Sequence, residues 1–76
     1  MIIEKKRKLD GNLCPECFKT LKNDQSFQTC KCGTKLLIAD VEELTETIEI
    51  DDDINSWFDM AIIKHNENFY LFNKKV

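Results

Sequence analysis

Cys14-Pro15-Glu16-Cys17, twelve intervening residues, then Cys30-Lys31-Cys32-Gly33: the reading of this chain turns on that stretch. Two close pairs of thiols separated by a hairpin-length segment can bring four sulfurs to one point. A Zn2+ ion prefers four such thiolates in a tetrahedron at ~2.3 Å. The segment Phe18 to Thr29 reads as strand, polar turn at Lys22-Asn23-Asp24-Gln25 and strand, which folds one pair back on the other. Gly33 follows the second pair and tolerates a positive φ, so the chain can turn there with its amides aimed at sulfur. Phe18 follows the first pair, where no such glycine is present. The chain has 76 residues, enough for one small domain and too few for a two-domain enzyme with its own cleft. A core of that size usually needs a staple, and Cys14, Cys17, Cys30 and Cys32 are the only candidates.

With Lys35-Leu36-Leu37-Ile38 as the next strand, these motifs resemble the zinc-ribbon family, a β-hairpin module with two metal knuckles. The resemblance covers roughly residues 10 to 38. The second knuckle is Cys-x-Cys rather than the commoner Cys-x2-Cys, and the first lacks its glycine; neither change removes a ligand. The resemblance implies a docking or nucleic-acid-contacting role in transcription or replication machinery. A second resemblance, over about residues 14 to 58, is to the zinc-ribbon-bearing OB domain of the large replication protein A subunit. It rests on the paired cysteines, an alternating Ile-Glu-Ile-Asp strand and Trp57, in a chain too short to complete that barrel unaided.

Other uses of the thiols compete with zinc. Two disulfides need an oxidising compartment, and the basic start Met1 to Lys8 runs into Leu9-Asp10-Gly11 rather than the apolar stretch of a cleaved signal. The chain therefore reads as cytoplasmic, or nuclear in a eukaryote. Cys14-Pro15-Glu16-Cys17 also looks like the redox motif of glutaredoxins, which would make the chain a thiol oxidoreductase. That family adds a following helix and a later proline loop, and Pro15 is the single proline here. Four cysteines also close the coordination sphere, whereas a catalytic zinc keeps a position for water. His65, the single histidine, reads as a turn or helix-end residue. With two glycines and no Walker or dinucleotide loop, the chain reads as non-enzymatic.

Charge is distributed unevenly along the sequence. Residues 1–38 hold eight Lys/Arg against four Asp/Glu, residues 39–53 hold eight acids and no base, and residues 54–76 hold three bases against two acids. The net charge of -3 argues against stand-alone binding to duplex DNA, which depends on clustered cations. Lys5, Lys6, Arg7, Lys8, Lys31 and Lys35 could still touch a phosphate backbone. From Thr45 to Ile50 the acidic stretch alternates like a strand, with Ile48 and Ile50 on one face and Glu46 and Glu49 left on the solvent side or edge. It offers a negative surface to a basic patch on a protein partner. No apolar run approaches the ~20 residues that span a bilayer.

In the last third, Ile54, Trp57, Phe58, Ala61, Ile62 and His65 recur at helical spacing behind Asp53 as N-cap, predicting a helix over 54–65 and a strand at Asn68 to Asn73. A hairpin turning at His65-Asn66-Glu67-Asn68 fits the same residues. Trp57 and Phe58 read as core, and the cluster Phe69 to Phe72 suggests a partner or homodimer surface. The expected fold is thus small α+β: a zinc ribbon with a basic arm over 1–38, and an acidic strand with a hydrophobic helix/strand extension over 39–76, packed as one domain. The expected role is a zinc-binding adaptor or regulator docking on RNA polymerase or a replication factor. The alternative is a single-stranded nucleic-acid-binding, OB-like module stacking bases on Trp57, Phe58, Phe69 and Tyr70.

Overall fold

Ala61, Ile62 and Ile63 are consecutive and all buried, a pattern that one stripe of a helix cannot produce and a strand covered on both faces can. In the computed structural model, which describes residues 1–21 and 26–75, they lie in a central strand of a six-stranded sheet. The strands are β1 (Ile2–Leu9), β2 (Phe27–Thr29), β3 (Lys35–Asp40), β4 (Thr47–Glu49), β5 (Met60–His65) and β6 (Asn68–Lys74). Their order is β2-β3-β5-β6-β1-β4. Strands β3 and β5 run parallel, with Leu36 opposite Met60 and Ile38 opposite Ile62. The other pairings are antiparallel.

This architecture corrects the α+β expectation. No α-helix occurs among the described residues. The expected helix over 54–65 is replaced by a 3₁₀ helix at Asp52–Trp57 followed by β5. Asp51, not Asp53, stands at its N-cap, without a side-chain capping bond. The reason is burial: Ile62 packs on one face of the sheet while Ala61 and Ile63 pack on the other, and β-branched residues favour the pleated conformation. The hairpin reading of His65 to Asn68 is the one that forms, with His65 paired to Asn68. The barrel implied by the OB resemblance does not appear, since β2 and β4 are separate ends of the strand order.

Two hydrophobic layers sandwich the sheet. One contains Leu9, Cys14, Leu21, Cys30, Leu36, Ile62 and Leu71. The other contains Ile3, Leu37, Phe58, Ala61, Ile63 and Phe72, with Val41, Leu44, Ile48 and Ile50 packed against it. Ile3 and Leu9 are six positions apart and would share a face in a regular strand. A register shift between Lys5 and Arg7 inserts one residue and sends them to opposite layers. The basic N-terminal segment is therefore a strand held between β6 and β4. The second layer is closed by the connection from β3 to β5. It adds β4 beside β1, passes Met1, whose carbonyl accepts from Ile50 N, and returns through the 3₁₀ helix to Asp59, whose amide donates to Lys35 O.

Candidate metal centre

Each cysteine pair sits on a short turn closed by main-chain hydrogen bonds. In the first, Phe18 N donates to Cys14 O at 2.8 Å and Cys14 N to Lys19 O at 2.9 Å. In the second, Gly33 N donates to Cys30 O at 2.8 Å and Cys30 N to Thr34 O at 2.9 Å. The second turn is the same device shortened by one residue, as Cys-x-Cys requires. Both turns need a left-handed residue after the second cysteine. Gly33 takes φ 93° without penalty, but Phe18 takes φ 62°, a conformation that costs a side-chain-bearing residue about 1–2 kcal/mol.

The expected strand–turn–strand between the pairs is only partly formed. The second arm is a strand, β2, but it pairs with β3. Residues 18–21 are not a strand, and contribute a single bridge between Leu13 and Thr20. The first arm follows its knuckle too closely to straighten: the left-handed Phe18 breaks the extended path. The expected turn at 22–25 lies outside the described residues.

The four sulfurs nevertheless converge. Cys14, Cys17, Cys30 and Cys32 place all their Sγ atoms within 4.8 Å of one another, close enough to hold a metal ion. Cys14 Sγ and Cys32 Sγ are 3.7 Å apart, the length of a tetrahedral edge built on ~2.3 Å bonds, about 3.8 Å. Cys17 Sγ and Cys30 Sγ are 2.9 Å apart, so that edge must open by about 0.9 Å around an ion of this kind. All four are free thiols. The donor set fits a soft or borderline cation that accepts four sulfurs.

Protonation divides the set. Burial pushes the Cys14 thiol up to about 12. The hydrogen bond shared by Cys17 and Cys30 raises Cys17 and lowers Cys30. Cys32 is lowered to about 6, chiefly by the Thr34 hydroxyl 3.3 Å away and then by the Thr34 main-chain amide. A metal arriving at neutral pH thus meets a ready thiolate at the exposed Cys32 and displaces the proton of the buried Cys14.

Sequence reasoning misses Thr34, whose only signal is a hydroxyl two positions beyond Cys32. His65 is absent from the cysteine cluster. It ends β5, with Nδ1 3.4 Å from Val41 O and Nε2 3.2 Å from Asn66 Nδ2. Of the aromatics expected in the core, Phe58 is 1% exposed but Trp57 is 63% exposed. Phe18 and Phe27 are exposed as well. The eight carboxylates of residues 40–53 are all exposed, raised on the half-buried Val41, Leu44, Ile48 and Ile50. Among the described residues two of them form ion pairs, Glu46 with Lys5 at 3.0 Å and Asp52 with the Met1 ammonium. No described helix is long and apolar enough to cross a membrane.

Comparison with family models, curated proteins and solved structures finds no match to this chain.

Proposed function

We propose that this chain is a non-enzymatic, zinc-stabilised adaptor that docks on a protein with a basic surface. The observation that carries the metal is the convergence of four thiols on one point. Four sulfurs fill a tetrahedral sphere and leave no position for a reacting water, which favours a structural ion over a catalytic one. Zinc is the ion we assign because it takes four thiolates without redox change. The thiol-oxidoreductase alternative is less favoured, since such chemistry needs a reactive pair set apart, whereas here all four sulfurs share one cluster.

The docking role rests on the acidic segment. Its apolar residues are packed against the second layer, so its carboxylates are held out on an ordered surface rather than on a loose tail. Holding like charges together this way costs electrostatic energy that a cationic partner relieves. The zinc-ribbon resemblance points to transcription or replication proteins as the partner class. The test is affinity capture with zinc-loaded protein beside a D51N/D52N/D53N variant, at low and high salt. Partners held by the wild type and lost both in the variant and at high salt support the reading; equal capture by both proteins sinks it.

A further inference from the structure

The edge of the sheet remote from β4 carries the opposite chemistry. Strands β2 and β4 end the strand order on its two sides, five interstrand steps apart, or about 24 Å at the usual spacing. At the β2 edge the exposed rings of Phe27 and Trp57 have centroids 6.3 Å apart and planes tilted by 52°. They border a groove of about 350 Å³ that Lys35 also lines. A second groove, about 240 Å³, shares Gln28 and Thr29 with the first and is flanked by Lys19 and Lys31. All three lysines are exposed. Among the described residues no carboxylate lines either groove. Asp59, just beyond Phe58, is occupied by the Lys35 main-chain amide at 3.0 Å.

We propose that this edge binds single-stranded nucleic acid. Ring faces open to water match unpaired bases, which stack on aromatic side chains whatever their sequence. Lysines set along a groove match the phosphates that join those bases. A duplex keeps its bases stacked inside and cannot use the rings. A peptide fits less well, because strand addition draws its affinity from main-chain bonds, and β2 offers only three residues. The acidic face does not cancel the site: Asp53, its nearest carboxylate along the chain, precedes Trp57 by four residues of the 3₁₀ helix, about 8 Å along its axis, one Debye length at physiological salt, where repulsion between exposed charges is cut to a fraction of its unscreened value. The stacking pair is Phe27 and Trp57, since Phe58 is buried.

Trp57 is the single tryptophan, so its fluorescence reports on this surface directly. The zinc-loaded full chain is titrated with a mixed-sequence DNA single strand of about 12 nucleotides, a length within the usual site sizes. Saturable quenching at micromolar strand is expected. Phe27→Ala keeps the reporter and should weaken binding about tenfold, while Lys31→Gln and Lys35→Gln should each flatten the log–log salt slope by about 0.7. If Phe27→Ala does not fold, as judged by its melting curve, the two lysine variants decide. D51N/D52N/D53N should leave this binding intact, which separates it from the protein-docking reading. Absence of quenching up to ~100 μM strand, equal affinity for the matching duplex, or equal quenching by a poly-glutamate peptide of the same charge would each overturn the proposal.

Discussion

Cys14 Sγ and Cys32 Sγ stand 3.7 Å apart, yet Cys14 is fully buried and Cys32 is exposed. The cluster therefore has an inner and an outer side. The inner thiol is raised by burial and the outer one is lowered by Thr34.

That asymmetry predicts a pH dependence in the metal-free protein. Cys32, lowered from 9.0 to about 6, is a thiolate at neutral pH, so iodoacetamide should label it before Cys14, with a rate that falls as pH drops through about 6. A lowered thiol also stabilises the fold fully above its unfolded value of about 9, and that contribution is lost as pH falls toward 6. Cys14, raised to about 12, must be deprotonated to bind, so zinc affinity should rise with pH across the neutral range. Thr34→Val should raise the labelling midpoint. Mass spectrometry of the labelled peptides checks the order and the midpoint, and zinc titration at several pH values checks the affinity.

Metal removal should act on one layer first. Cys14 and Cys30 belong to the layer with Leu9, Leu21, Leu36, Ile62 and Leu71, and the opposite layer contains no cysteine. A strong chelator should therefore lower the melting temperature and abolish amide protection over residues 10–21 and 26–34 before that of β5 and β6, as read by hydrogen exchange. Elemental analysis should give one zinc per chain. Finding no metal, with a melting curve indifferent to chelator, would remove the metal from the account.

Adjacent aromatics should respond oppositely to truncation. Phe58 is 1% exposed, with Lys74 Nζ 4.8 Å from its ring centroid, so Phe58→Ala should cost about 3–5 kcal/mol. Trp57 is 63% exposed, and Trp57→Ala should cost well under ~1 kcal/mol. Urea melts of the two variants make the comparison. Comparable losses would mean that Trp57 packs more than its exposure shows.

The turn between β5 and β6 holds a removable penalty. Asn66 and Glu67 have φ of 49° and 65° in a two-residue hairpin loop, where Asn-Gly is the favoured pair. Glu67→Gly should stabilise the protein by about 1 kcal/mol, raising the melting temperature by about 4–8 °C in a domain this small. Thermal denaturation followed by circular dichroism tests it; a lower melting temperature would show that the Glu67 side chain outweighs its backbone strain.

The cysteine set was legible without a fold because each pair is local. Two thiols within a turn have few places to go, and Gly33 marks a left-handed corner in the chain itself. Strand β6 was legible as a run of aromatic and aliphatic residues following the turn at His65 to Asn68, and the short alternation around Ile48 because one side faces water and the period shows. The knuckle at Phe18 was not: nothing in its residue type asks for φ 62°, and only the closing bonds from Phe18 N and Cys14 N impose it.

Strand β5 shows where local pattern stops. Ala61 and Ile62 satisfy a helical stripe and a strand alike, because a strand buried on both faces has lost the alternation that would identify it. Partners distant in sequence resolve the ambiguity: β3 on one side and β6 on the other bond to both edges of β5, and a helix there would leave those edges unpaired. The same long-range pairing turned the basic N-terminus into an internal strand, with its bulge before Arg7 dividing Ile3 and Leu9 between layers. It also set Phe58 inward and Trp57 outward. Sequence determined the four cysteines as candidate ligands and the sign of each charged segment, which are properties of the residues themselves. Tertiary structure decided which faces are buried, because burial depends on what lies opposite.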